Sequence, residues 1–137
     1  MSHSIRRVEY FHTTVNDHPG EALSFLAALA DLGANLVAFT AIPSGLHQTQ
    51  LTVFPADPLR FLAQAGKAGL GLQGPYHALL MQGDDVPGAL VAAHERLSEA
   101  GVNVYASTGV SGGGGTFGYV MHVRPADFEQ AAASLGI

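Results

Sequence analysis

Residues 17–35 read DHPGEALSFLAALADLGAN, and residues 85–103 read DVPGALVAAHERLSEAGVN. The two stretches lie 68 positions apart and share an aspartate, a Pro-Gly pair, a leucine and a final Gly-x-Asn at matching places. Farther along the chain the offset becomes 70, and residues 53–57 (VFPAD) align with residues 123–127 (VRPAD). The chain therefore repeats one structural unit, and the second copy carries two extra residues at a glycine-rich stretch.

Each copy is predicted to contain a helix that follows the Pro-Gly pair. Apolar residues recur there at steps of three and four, which is typical of a helix with one buried face. Proline is tolerated in a first helical turn, and a glycine such as Gly33 or Gly101 is a common helix stop. The apolar positions are Ala22, Phe25, Leu29 and Leu32 in the first copy and Leu90, Ala93, Leu97 and Ala100 in the second.

Strands are predicted where β-branched and aromatic residues cluster. They cover residues 7–15, 36–42 and 48–54 in the first half and residues 76–82, 104–110 and 117–123 in the second. A second helix is predicted from Pro58 and from Ala126, with Asp57 and Asp127 as N-cap residues. Each half is therefore predicted to have the element order βαββα.

The predicted repeats cover residues 5–74 and 75–137. Residues 72–76 form an extended segment that can close the first repeat and open the second. The second repeat ends without a closing strand of its own. Because an open sheet edge invites pairing, we expect the long N-terminal strand or a second copy of the protein to cover it.

The glycine-rich stretch at 111–118 contains a Gly-x-Gly-x-x-Gly match at Gly113, Gly115 and Gly118. A phosphate-binding loop of this kind leads into a helix, whereas the residues that follow here are typical of a strand. In the alignment of the two repeats, the stretch also corresponds to residues 43–46, which form a predicted turn. We therefore expect a flexible hairpin tip that folds over a neighbouring site.

Two turns and two helix ends carry a family resemblance. Residues 17–20 with 33–35, and residues 85–88 with 101–103, resemble the ACT domain. The resemblance covers nearly the whole chain as a tandem pair of ACT-like repeats. It implies an α+β fold, in which a ferredoxin-like βαββα(β) unit is repeated twice with an antiparallel sheet and helices on one face. It also implies a homodimer, and a regulatory or sensor protein that binds an amino acid or a similar small zwitterion and acts on a metabolic enzyme.

The same resemblance implies two ligand sites, formed by Asp17, His18, Gly20 and Asn35 in the first repeat and by Asp85, Val86, Gly88 and Asn103 in the second. Backbone N–H groups at a helix start can receive a carboxylate, and the aspartate and asparagine side chains can accept from an ammonium group. His18 can meet a carboxylate when protonated, so the first site is the better candidate if just one of the two is competent. The alternative is that the aspartates and asparagines only stabilise their turns.

Composition limits the classes of function. The formal net charge is −5 with six Lys plus Arg, which offers no basic surface for nucleic acid. No cysteine is present, and the seven histidines lack the spacing of a metal motif, so we expect no metal and no cofactor. No signal peptide or membrane span is recognisable, which predicts a cytoplasmic protein without a membrane partner.

Two other functions remain open. The sheet edge and the helices can form a ligand-free module for protein interaction or assembly. A small ferredoxin-like enzyme with His12 or His18 as a base is the third hypothesis, although no nucleophile elbow or paired-carboxylate motif is present. We therefore expect that the protein is not an enzyme.

Overall fold

The computed structural model describes residues 3–137. The strands and helices are β1 (His3–Asn16), α1 (Glu21–Asp31), β2 (Leu36–Pro43), β3 (Gln48–Pro55), α2 (Pro58–Lys67), β4 (Gln73–Asp84), α3 (Val91–Glu99), β5 (Ala106–Ser111), β6 (Thr116–His122) and α4 (Phe128–Ser134). The strands are antiparallel and hydrogen-bonded in the order β2-β3-β1-β4-β6-β5. The predicted α+β class is confirmed, and the elements follow one another in the order βαββα twice along the chain.

The chain divides into two compact units. The first unit is Glu9–Tyr76, and the second consists of the chain up to Val8 together with His77–Ile137. β1 and β4 each contribute to both units, because the division cuts each strand. These compact units differ from the repeats predicted at 5–74 and 75–137, and the repeat boundaries stay a prediction.

The first unit packs α1 and α2 against one face of its strands. Phe25 and Leu29 are the buried positions of α1, as the spacing of its apolar residues predicts. The buried core also contains Phe11, Leu51, Val53, Phe61 and Ala65. Asp57 caps α2 as predicted, since its side chain accepts a hydrogen bond from the backbone N–H of Arg60 over 3.2 Å.

The second unit has an equivalent core. Its largest buried members are Leu79, Met81, Leu97, Tyr119, Met121 and Phe128. Ile5 of β1 packs against this core, so the N-terminal end of β1 takes the place of the closing strand. Arg7 lies beside it and donates to both carboxylate oxygens of Glu129, at 2.9 and 3.0 Å.

The second predicted cap residue, Asp127, stands at the N-cap position of α4 but does not cap the helix with its side chain. Asp127 makes no capping hydrogen bond, because Pro125–Asp127 forms a single 3-10 turn before α4. The backbone of Asp127 (φ −102°, ψ −4°) is already near-helical, whereas a capping side chain needs an extended backbone at its own residue. The aspartate therefore belongs to the turn that leads into the helix.

Candidate functional site

A cavity of about 470 Å³ lies in the second unit, between the β4–α3 turn and the β5–β6 hairpin. Its lining comprises Asp85, Val86, Gly88, Ala89, Leu90, Val91, Gly109, Val110, Ser111, Phe117 and Gly118. Three of the predicted ligand residues, Asp85, Val86 and Gly88, are therefore brought together at one cavity. We call this cavity the Asp85 cleft.

The β5–β6 hairpin is hydrogen-bonded to both the side chain and the backbone of Asp85. The Ser111 hydroxyl donates to Oδ2 of Asp85 over 3.0 Å, and the backbone N–H of Asp85 donates to the Gly115 carbonyl over 2.9 Å. The N–H of Gly113 donates to the Ser111 Oγ over 3.4 Å. An ionised carboxylate accepts several hydrogen bonds, so the contact with Ser111 leaves Asp85 able to accept from a ligand.

The glycines of this stretch form the tip of the hairpin and not a phosphate cradle. Gly113 and Gly115 have φ angles of +79° and +84°, which L side chains rarely adopt. The chain enters β6 directly at Thr116, so no helix N-terminus follows the glycines. The predicted hairpin turn is confirmed and borders the Asp85 cleft, but the two extra residues expected in it are not there, since Ser111 pairs with Phe117 and Pro43 with Thr49 at the same separation of six.

Gly109 allows β5 to pass close to a buried aromatic ring at the edge of the cleft. A Cβ atom at Gly109 would lie 3.1 Å from Cδ1 of Tyr119. The Tyr119 ring is held in place, since its hydroxyl lies 2.7 Å from Nε2 of His94. Gly109 could not be recognised from the sequence, because the close approach depends on the pairing of Gly109 with Tyr119 across β5 and β6.

The first repeat builds the same turn without the same side-chain contact. The backbone N–H of Asp17 donates to the His47 carbonyl over 2.8 Å, as that of Asp85 does to Gly115. Gly20 has a φ of +91° and precedes α1. Ser111 pairs with Phe117 across the β5–β6 hairpin. The corresponding residue of the β2–β3 hairpin is Pro43, which pairs with Thr49 and has no hydroxyl group to donate. Both turns are exposed, and the Ser111 contact and the cavity beside Asp85 favour the second site over the one expected from His18.

The two asparagines do not join their aspartates. Asn35 lies next to Leu36, which pairs with Pro55 at one end of β3. Asp17 lies next to Asn16, which pairs with Gln48 at the other end of β3. The pairs lie seven residues apart on β3, roughly 24 Å at about 3.4 Å per residue. The physical reason is that α1 returns the chain to the opposite end of β1 before β2 begins, so the expected contact of Asp17 and Asn35 with one ligand is not formed within the unit.

Asn103 shows the same separation in the second unit. It lines a different cavity, of about 340 Å³, together with His94, Leu97 and Val104. Asn35 has a backbone role, since its carbonyl accepts from the N–H of Ala56 over 2.8 Å. Both asparagines follow a helix-ending glycine with a positive φ, which fits the alternative that they stabilise the turn.

The histidines and carboxylates of residues 3–137 include no group of three or more that could hold a metal ion. His12, one of the two hypothetical bases, stacks on Tyr76 with ring centroids 5.1 Å apart and an interplanar angle of 9°. Within the same range, no helix is long and apolar enough to cross a membrane.

Comparison with known proteins identifies the fold. No protein-family model matches the sequence, and no curated protein matches it. Among solved structures, protein BT0572 from Bacteroides thetaiotaomicron is similar with a TM-score of 0.77 and 17% identity, over 96% of this chain and 88% of that one. The ligand-free regulatory subunit of aspartate kinase from Thermus thermophilus is similar with a TM-score of 0.65 and 14% identity, over 98% and 95%.

A third similar structure contains the aspartokinase alpha and beta subunits, with a TM-score of 0.58 and 16% identity over 98% of this chain and 95% of that one. Identities this low establish the fold and nothing finer. The fold of this chain is ACT-like, as the turns at residues 17–20 and 85–88 imply.

Proposed function

We propose that this protein is a regulatory or sensor protein that binds an amino acid in the Asp85 cleft. The observation that carries the proposal is the contact of 3.0 Å between Ser111 and Asp85, which holds a carboxylate at a cavity with mainly apolar walls. The similarity to a regulatory subunit of aspartate kinase supports a regulatory role. In this proposal the protein is cytoplasmic and has no catalytic activity of its own.

The two charged groups of an amino acid would contact different parts of the cleft. The ammonium group would donate to the Asp85 carboxylate, a charge-assisted hydrogen bond. The ligand carboxylate would lie toward the backbone N–H groups where the chain enters α3, because helix N-termini favour anions. Gly88, with a φ of +79° and no side chain, lets a ligand approach this turn closely.

Ligand binding would regulate through the hairpin. A ligand that contacts both Asp85 and the β5–β6 hairpin would favour the conformation in which the hairpin is fastened. Such differential affinity shifts the equilibrium between conformations, and through it the affinity for a partner such as a metabolic enzyme. The ligand and the partner must then influence each other's affinity by the same factor.

Thermal unfolding against the twenty amino acids, followed by calorimetry, tests the proposal. A ligand that binds only the folded state stabilises it by about 2.7 kcal/mol at a hundred times its dissociation constant. Asp85→Asn should abolish the shift, because it removes the charge that pairs with the ammonium group. Asp17→Asn is the matched variant at the other repeat and should leave the shift unchanged. No shift with any amino acid would contradict the proposal.

The second candidate function is protein assembly, which exposed leucines on the first unit favour. Leu23 and Leu26 of α1 are 71% and 37% exposed, and Leu59 and Leu62 of α2 are 84% and 47% exposed. Exposed large apolar side chains on two helices offer surface of the kind that a protein partner can cover. In this hypothesis the protein is a homodimer in solution, and the double variant Leu23→Glu with Leu59→Glu should convert it to a monomer in light scattering.

A further inference from the structure

We infer that the ligand of the Asp85 cleft is an amino acid with an aliphatic side chain, and that the cleft rejects acidic amino acids. This inference rests on the proposed function and specifies its ligand class. It follows from the chemistry of the side chains that line the cavity and from the charges around it.

Most of the side-chain lining of the cleft is apolar. Val86, Ala89, Leu90, Val91, Val110 and Phe117 supply it. The three valines are exposed to solvent in the chain itself: Val86 by 39%, Val91 by 54% and Val110 by 69%. An aliphatic ligand side chain placed against them would remove apolar surface of both partners from water, which is the main source of affinity in such sites.

Asp85 and Ser111 are the only described lining side chains that carry a charge or a hydrogen-bonding group. Among the described lining residues there is no Lys or Arg, and Asp85 and Ser111 already bond to each other. A ligand side chain that buried a polar group against the valines would leave it without a partner, and that costs affinity. The ligand ammonium group can take the remaining acceptor capacity of Asp85.

The charge in the cleft disfavours an anionic ligand side chain. Asp85 is the one charged side chain among the lining residues that the structure describes. The whole chain carries a formal charge of −5. Two like charges within a few ångströms repel even at high dielectric, so a second ligand carboxylate is disfavoured.

Calorimetry with the full chain and five probes tests the inference: L-leucine, L-valine, L-alanine, L-lysine and L-aspartate. We expect L-leucine and L-valine to bind at least about tenfold more tightly than L-alanine, which is the discrimination that methylene groups provide in an apolar pocket. L-aspartate should show no binding at concentrations that saturate with L-leucine. L-lysine should bind more weakly than L-leucine.

The variant Val91→Asp examines the apolar wall directly. It should weaken L-leucine binding at least about tenfold and shift the preference toward L-lysine, because the new carboxylate can pair with the lysine side chain. Leu23→Asp is the matched control, since Leu23 stands 68 positions earlier, at the same place in the other repeat, and is 71% exposed. Both sites are exposed, so both variants should fold.

The outcomes separate the inference from the proposed function. Binding of L-lysine or L-aspartate at least as tight as that of L-leucine, and lost in Asp85→Asn, would overturn the inference and leave the proposed function standing. An unchanged affinity for L-leucine in Val91→Asp would also overturn it. If no amino acid binds, the proposed function fails and the inference fails with it.

Discussion

The Ser111 hydroxyl donates a hydrogen bond of 3.0 Å to Oδ2 of Asp85, and this contact joins the β5–β6 hairpin to the turn before α3. We predict that Ser111→Ala accelerates hydrogen exchange at the Asp85 amide, whose N–H donates to Gly115 in the same hairpin. The free energy of unfolding should fall by no more than about 1 kcal/mol, because both residues are exposed.

Ser107→Ala is the control for this prediction, since Ser107 is an exposed serine on the same strand. Exchange at the Asp85 amide should be unchanged in that variant. Equal exchange rates at Asp85 in Ser111→Ala and in the unmodified protein would show that the backbone bonds alone fasten the hairpin.

Gly109 is predicted to be intolerant of a side chain. Gly109→Ala should lower the free energy of unfolding by about 1–3 kcal/mol, because the new Cβ lies 3.1 Å from the Tyr119 ring and overpacking in a filled core is destabilising. Tyr119 cannot easily yield, since it is buried and its hydroxyl contacts His94. Urea unfolding measures the change.

Gly118→Ala is the matched control on the adjacent strand β6. A Cβ there meets no atom within 4 Å, so the free energy of unfolding should change by less than about 0.5 kcal/mol or rise slightly. A similar loss in both variants would mean that glycine is needed at both positions for a reason other than the Tyr119 contact.

Arg7 is predicted to stabilise the attachment of the N-terminal end of β1 in the second unit. Its guanidinium contacts Glu129, the Ile137 carbonyl at 3.1 Å and the Phe128 ring at 5.8 Å from the centroid. Arg7→Ala should cost about 1 kcal/mol in urea unfolding, near the upper end for an exposed ion pair. Glu129→Gln should cost less, because the other two contacts remain.

The effect of Arg7→Ala should shrink in 1 M salt, where exposed charges are screened. Arg6→Ala, at the exposed neighbouring position, is the control and should leave the free energy of unfolding unchanged within about 0.5 kcal/mol. A loss as large as that of Arg7→Ala would indicate that charge near the N-terminus matters more than the contacts of Arg7.

His122 is predicted to make the stability depend on pH. Burial lowers the pKa of His122 below its ordinary value of 6.5, so the folded state prefers the neutral imidazole. Between the folded pKa and 6.5 the unfolded state binds more protons, and the stability therefore rises with pH in that window. The contribution is fully present above pH 6.5 and decreases as the pH falls toward the folded pKa.

Urea unfolding at several pH values from 5 to 8 measures this dependence. In His122→Gln the rise in stability between pH 5 and 6.5 should be smaller than in the unmodified protein. His3→Gln, at an exposed histidine, is the control and should keep the full rise. An identical pH profile in His122→Gln and in the unmodified protein would assign the dependence to other groups.

The periodicity of the chain was sufficient to predict most of the fold. Apolar spacing placed Phe25 and Leu29 on the buried face of α1, and the repeated Pro-Gly turns predicted the order of the elements. The N-cap at Asp57 was also predictable from the sequence, because an N-cap depends on residues within one turn of the helix. Asp127 was misread for the same local reason: a 3-10 turn and a capped helix start have similar sequences.

The candidate site was only half predictable. Asp85, Val86 and Gly88 belong to one turn, so their grouping follows from sequence neighbours alone. Ser111 and Phe117 reach the same cleft through strand pairing, and Asn35 and Asn103 are kept from their aspartates by the direction of the helices. No local pattern contains that information.

The sequence by itself determined which segments form helices, strands and turns, because apolar periodicity, proline and glycine act over a few residues. The tertiary structure decided that Asp85 has a hydroxyl partner, whereas Asp17, in the corresponding turn of the first unit, has none of that kind among the described residues. It also decided that the N-terminal end of β1 completes the second unit. Both are long-range pairings, and their register is fixed by side chains that lie far apart in the chain and pack on one face of the sheet.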